Sequence, residues 1–251
     1  MCGIAGLVGR SPDRFAEVVS PQLAHRGPDD AGLWFSAEVC LVHRRLAILD
    51  LSPSGHQPMS SPCGRWHLVF NGEIYNYKSL RQVLLSEGYR FRGTGDTEVL
   101  LAWIARHGTE GLSELRGMYA FGLYDAQQHT LLLARDPHGI KPLYYWQGPG
   151  GEIAFASEIR ALLAYTEIPR HLQPTALTGY LTSGSVAEPL TLVRDVCRLP
   201  AGHWARWSSR QFAVSPWCPI PEHTAATTSS MASQYAVQLC RSALQASVLS
   251  L

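Results

Sequence analysis

What this chain has least of is charge imbalance. Its 21 lysines and arginines stand against 20 aspartates and glutamates, a formal net charge of +1, so electrostatics give no case for a nucleic-acid or membrane-surface partner. Long apolar runs are also missing: none approaches the ~18 residues that a bilayer-spanning helix needs. The first residues carry no basic region, and the apolar stretch 4–8 stops at Gly9 and Arg10, which does not read as a secretory signal. A cytoplasmic home is therefore expected, where the six cysteines (2, 40, 63, 197, 218 and 240) stay reduced. There is no CxxC pair and no His/Cys group with zinc-like spacing, which argues against a disulfide framework or a structural metal.

What is present is a soluble-type composition, 46% apolar over 251 residues, enough for one large domain or two small ones. Up to about residue 165 the text alternates short β-like runs ("IAGLVG", "VCLVHRRLAIL", "WHLVFNG", "MYAFGLYD", "TLLLARD", "EIAFASE") with turn signals. Two helices interrupt them. In "NYKSLRQVLLSEGY" Leu80, Val83 and Leu84 share a stripe, and in "GDTEVLLAWIARHG" Val99, Leu100, Trp103 and Ile104 face one way, with Asp96 or Thr97 as the cap. Helices set between groups of strands, without a βαβ rhythm, predict an α+β fold of antiparallel sheets. After residue 165 a connecting helix and two short strands around "RLPAGH" are expected. "PEHTAATTSSMASQ" has a linker composition, and "YAVQLCRSALQASVLSL" has helical spacing at Leu239, Cys240, Ala243, Leu244 and Val248.

The start of the chain, "MCGIAG", raises a chemical possibility. Removal of Met1 would leave Cys2 with both a thiol and a free α-amine. The unperturbed amine titrates at about 7.7–8.0 and the thiol at about 8.5, so one residue would hold a nucleophile and its base. Glycines at 3 and 6 would let a ligand approach this strand closely.

Together with "MCGIAG", the segments "HRGPDDAG" (25–32), "HRRLAILD" (43–50), "FNGEIYNY" (70–77) and "GDTEVLL" (95–101) resemble the glutaminase domain of class II glutamine amidotransferases. These are N-terminal-nucleophile hydrolases, and the asparagine-synthetase branch is the most similar. "LRGMYAFGLYD", "ARDPHGIKPLYY" and "FASEIRALL" continue the likeness to about residue 165, and "GYLTSGSVAEPLTLVRDVCRLPAGHW" extends it more thinly.

The resemblance implies a four-layer αββα sandwich of two antiparallel sheets. It makes Cys2 the nucleophile that attacks the side-chain amide of glutamine. Asn71 and Gly72 become the oxyanion hole, although Asn-Gly read by itself is a strong hairpin-turn signal. Arg45 would hold the substrate carboxylate bidentately and Asp96 the substrate ammonium, while Glu73 and the backbone of Leu46, Ala47, Ile48 and Leu49 line the pocket. His43 and Arg44 acquire no role, and a solvated strand is the usual fate of such residues.

Relatives of this branch follow the domain with an ATP-pyrophosphatase domain carrying S-G-G-x-D-S, and that string is absent; "TSGSVAE" (182–188) is the nearest. The expected organisation is a glutaminase domain over 1–215, then a linker and the first helix of a missing synthetase domain over 216–251. Expected partners are glutamine and a synthetase domain or subunit that takes up ammonia. No cofactor is expected here; ATP and Mg would come in only with that second domain. Alternatives are a catalytically silent interaction module, or an amidotransferase for sugar or purine nucleotide synthesis.

Overall fold

The first strand, β1 (Gly3–Val8), is buried at every position, as an apolar run is when both faces of its sheet are covered. A computed structural model describes residues 1–48, 52–218 and 233–249. The strands that follow are β2 (Asp30–Ser36), β3 (Val39–Arg45), β4 (Met59–Ser60), β5 (Trp66–Ile74), β6 (Gly117–Asp125), β7 (Thr130–Arg135), β8 (Tyr144–Gln147), β9 (Ile153–Ala156), β10 (Val196–Arg198), β11 (His203–Ser208) and β12 (Gln211–Pro216). Among the described residues they form two six-stranded sheets, ordered β10-β8-β9-β1-β3-β2 and β12-β11-β7-β6-β5-β4. Every pairing is antiparallel.

The alternation of side chains along each strand sorts the apolar residues into three clusters. Ile4, Val8, Val39 and Leu41 of the first sheet meet Val69, Ala120, Leu131 and Leu133 of the second, so the sheets face each other. On the outer side of the first sheet, Ala5, Leu7, Cys40 and Val42 receive Phe15, Ala16 and Val19 of α1 (Pro12–Gln22). On the outer side of the second, Leu68, Phe70, Phe121 and Leu123 receive Leu80 and Leu84 of α2 (Tyr77–Ser86). Residues Val99 to Ile104 of α3 (Asp96–His107) complete that layer. Ala161 and Leu162 of α4 (Ile159–Ala164) join α1 against the first sheet. The result is helix, sheet, sheet, helix, the layered α+β architecture that the resemblance implied.

Several local readings change. α1 was not predicted, although Pro12 opens it and Asp13 sits in its first turn. α3 is buried on all sides from Asp96 to Ile104 rather than along one stripe, and Gly95, not Asp96 or Thr97, is its cap. Val83 leaves the α2 stripe and is exposed. Gly3 and Gly6 make room for protein instead of ligand: a Cβ would lie 2.9 Å from Leu23 at the first and 2.5 Å from Phe155 at the second. Asn71 and Gly72 do not form a turn; both lie within β5, opposite Ala120 and Tyr119.

The chain divides into two units, Met1–Cys218 and Pro219–Leu251. α5 (Pro174–Ser183), the connecting helix, closes on Gly184. In the second unit α6 (Ser233–Leu249) is a helix, as its spacing predicts, and Leu239, Leu244 and Val248 are exposed on it. The linker reading before Ser233 lies outside the described residues. No helix among the described residues is long and apolar enough to cross a membrane.

Candidate active site at an open strand edge

Antiparallel strands point alternate residues' N–H and C=O groups toward and away from a neighbour. In β5 the residues 66, 68, 70, 72 and 74 point away from β6, and each rung finds a different partner. The Trp66 carbonyl accepts from the Ser61 amide, and Leu68 pairs with Met59 of β4. Past Met59, on the N-terminal side of β4, the neighbouring strand is gone, and side chains replace it. Gln57 Oε1 accepts from the Phe70 amide at 2.7 Å, and His43 Nε2 lies 3.2 Å from the Phe70 carbonyl. Asp96 Oδ2 accepts from the Ile74 amide at 3.0 Å. The remaining rung is Gly72, whose amide faces an open cleft.

That cleft, about 740 Å³ including its open mouth, is lined by Cys2, Arg45, Leu46, Ile48, Asn71, Gly72, Glu73 and Asp96. Of the residues named from the sequence, Ala47 turns aside and donates its amide to Asp29 Oδ2 at 2.9 Å. Leu49 lies outside the described residues. The geometry therefore brings eight of those residues to one cleft, while they come from β1, β3, β5 and α3 and the loops beside them.

Asn71 is 1% exposed, and its side-chain Nδ2 has no hydrogen-bond partner. A buried amide donor left unmade costs about 1–3 kcal/mol, which is recovered when an acceptor enters the cleft. Gly72 admits no side chain: a Cβ would lie 2.3 Å from the Met118 carbonyl oxygen. Two free donors on consecutive residues thus meet in the cleft that holds Cys2.

The Cys2 sulfur receives the Leu46 amide at 3.4 Å, with the Leu46 carbonyl 3.7 Å away. Burial pushes its thiol pKa up, against the Leu46 hydrogen bond and the positive charges of the amino terminus, Arg45 and Lys141, which pull it down. Arg26 Nε donates to the Cys2 carbonyl at 2.9 Å, and Arg26 Nη1 bonds Glu158 Oε1 at 3.0 Å. Met1 also lines the cleft. Arg45 is 9% exposed and Asp96 5%, a cation and an anion sunk in one cavity. Burial pushes Asp96 up to about 6, against the hydrogen bond from Ile74. Arg45 Nη1 donates to the Ser52 carbonyl at 3.1 Å.

Sequence reasoning missed Lys141, Gln57 and Arg26. Lys141 also lines the cleft, and burial pulls its ammonium down, against Glu73. Among the described residues no carboxylate comes within ion-pair distance of it. Lys141 and Arg26 lie inside the motifs "ARDPHGIKPLYY" and "HRGPDDAG", but the burial that singles them out exists only in the structure. For Gln57 the sequence offered no signal.

A family model described as a glutamine amidotransferase domain matches residues 1–218. The chain belongs to the glutamine amidotransferase family. It is 37% identical over 224 residues to asparagine synthetase [glutamine-hydrolyzing] 1 of Bacillus subtilis, covering 86% of this chain and 34% of that protein. To a putative asparagine synthetase [glutamine-hydrolyzing] of Mycobacterium bovis it is 41% identical over 225 residues, covering 84% and 34%. The amidotransferase chain thus spans about a third of the length of these curated relatives. Its fold is that of the glutamine phosphoribosylpyrophosphate amidotransferase of B. subtilis, with a TM-score of 0.63, 20% identity, and 86% of this chain and 49% of that one covered.

Proposed function

We propose that this chain hydrolyses L-glutamine to L-glutamate and ammonia, with the residues of the cleft in the following roles. Arg45 takes the α-carboxylate and Asp96 the α-ammonium, which fixes the side-chain amide beside Cys2. With Met1 removed, the α-amine of Cys2 accepts the thiol proton as sulfur attacks the amide carbon. The carbonyl oxygen becomes an oxyanion that accepts from Asn71 Nδ2 and the Gly72 amide. The amine then returns the proton to the departing nitrogen, and ammonia leaves a thioester. Water attacks the thioester through a second oxyanion, releasing glutamate and restoring the thiol. A donor in such a hole is worth about 2.7–4 kcal/mol of transition-state stabilisation.

The observation that carries this reading is the pair of unpartnered donors: Asn71 Nδ2, buried without a hydrogen bond, next to Gly72, the open rung of β5. A structural role alone would leave no reason for that expense.

By the same reading the ammonia serves asparagine formation, in a synthetase domain or subunit of the kind named in the relatives, and the setting is cytoplasmic. The 1–215 portion is the glutaminase and 216–251 the approach to the second domain.

The test begins with mass spectrometry of the N-terminus and a glutaminase assay, with L-asparagine as control. Protein lacking Met1 should release ammonia from glutamine, and Cys2→Ala should not. Undiminished activity with Met1 retained contradicts the role of the amine, and labelling of Cys40 or Cys63 instead of Cys2 by a diazo-ketone glutamine analogue contradicts the nucleophile.

A further inference from the structure

His43 departs furthest from its sequence reading. It is 1% exposed instead of solvated. Burial pulls its pKa down to about 3, so its ring is neutral at physiological pH and only one ring nitrogen carries a proton. Nε2 faces the Phe70 carbonyl, an acceptor, so that nitrogen is the donor; Nδ1 has no partner. A neutral donor with a single bond, buried between the sheets, holds Phe70 and nothing else.

Gln57 reaches the other backbone polar group of the same residue, the Phe70 amide. Its backbone lies against β2, where a Cβ on Gly32 would come 1.9 Å from the Gln57 carbonyl oxygen. Its side chain crosses to β5 and accepts from the Phe70 amide in a buried bond. One arm, His43, therefore starts from the sheet that carries the nucleophile, and the other starts two residues before β4, from a segment packed against that sheet at Gly32. The path is short: His43 sits opposite Ile4 in the β1–β3 pairing, two residues after Cys2, and Phe70 is the residue before Asn71.

We propose that Gln57 and His43 are positioning residues, a two-armed clamp on Phe70 that sets the spacing between the nucleophile's sheet and the oxyanion donors Asn71 and Gly72. This rests on the glutaminase reading of the same cleft. Gln57 also lines the cleft, but its side-chain oxygen is engaged by the Phe70 amide, so its part is to position the strand. The clamp replaces the missing neighbour strand at the rung just before the open one, so Gly72 keeps a fixed direction while its amide stays free. Without it, the side of β5 away from β6 would have no hydrogen-bonded support between Leu68 and Ile74, with Asn71 and Gly72 inside that span.

Gln57→Met preserves side-chain length and removes the acceptor; His43→Leu removes the donor. The expected result for Gln57→Met is a fall in kcat of about 10–100-fold with KM for glutamine within about threefold, because a donor's direction matters most in the transition state. The discriminating measurement is the cycle with Asn71→Ala. A clamp acting through the hole loses most of its effect once the hole is damaged, so Gln57→Met should lower kcat less than about threefold in that background. Gln57→Glu, which keeps an acceptor, should recover part of the activity.

Equal losses in both backgrounds, or a KM effect with kcat unchanged, overturn the proposal. Should His43→Leu fail to fold, Gln57→Met carries the test by itself. Amide hydrogen exchange separates this inference from the glutaminase reading: Phe70 should exchange at least about 10-fold faster in Gln57→Met whether or not the chain turns over glutamine. Unchanged exchange at Phe70 overturns the clamp even in an active enzyme.

Discussion

Asp96 accepts the Ile74 amide at 3.0 Å, two residues beyond the open rung at Gly72 on the same strand. One carboxylate therefore ends the free stretch of β5 and also lines the cleft. Its ionisation matters to both tasks. With a pKa of about 6 raised by burial, Asp96 loses its charge within an accessible pH range. KM for glutamine should be flat above pH 7 and rise below about 6, as the anchor for the ammonium is protonated, while Asp96→Asn should raise KM about 10–100-fold at neutral pH, in line with the worth of a charge-assisted bond. Initial rates across pH 5–8 read both.

The same shift governs stability. Because the folded pKa lies above the ordinary 3.8, the folded protein holds this proton more tightly than the unfolded chain. The associated stabilisation is complete below about 3.8 and is lost as pH rises through 6. At pH 7.5 the fold therefore carries the cost of a buried charge, and Asp96→Asn should be more stable than the parent by about 1–3 kcal/mol, a gain that disappears near pH 4. Urea unfolding at the two pH values tests this.

Lys141 contributes positive charge beside Cys2. Replacing it with methionine should raise the pH at which Cys2 becomes a thiolate and slow its alkylation at pH 7.5 by several-fold, about 3–10-fold. The readout is the mass-resolved labelling of the Cys2 peptide by iodoacetamide. Cys63 supplies an internal control: it is exposed, and its hydrogen bond with Ser61 pulls its thiol down.

Glu158 acts at one remove. Although burial opposes it, hydrogen bonds from Arg26, His25 and Arg160 hold its carboxyl below the ordinary range. Arg26, whose side chain is 8% exposed, in turn holds the Cys2 carbonyl. Glu158→Gln should loosen that hold, lowering kcat by about 10-fold through misplacement of the nucleophile with KM little changed. Steady-state kinetics decide it.

Gly72→Ala would drive a methyl group to within 2.3 Å of the Met118 carbonyl oxygen. The strand must shift, so activity should fall about 100-fold or more and stability by about 1–3 kcal/mol. Thermal unfolding and a glutaminase assay measure the two losses together.

The sequence made the chemistry more legible than the scaffold that aims it. Cys2, Asn71 and Asp96 announce themselves through motif wording, yet local propensity alone would have put Asn71–Gly72 in a turn. Nine consecutive pairings with β6 outweigh that preference. α1 escaped notice although Pro12, Asp13 and the spacing of Phe15, Ala16 and Val19 were there to be read; Pro21 near its end obscured the pattern. His43 and Gln57 were beyond reach for another reason. Nothing in "VHRRL" or "GHQPM" states that a histidine of the first sheet and a glutamine just before β4 will meet at the backbone of one residue, Phe70, since that contact exists only after the sheets stack. Lys141 lies between these cases, visible as a residue and silent about its neighbours.

The single vacant rung at Gly72 also bears on solubility. A sheet border with several consecutive free amides and carbonyls invites pairing with another molecule. Here side chains occupy the rungs on either side, so an incoming chain would find one hydrogen-bonding position and no continuation. The protein can thus keep a reactive donor bare for a small ligand while remaining closed to polymerisation along that border.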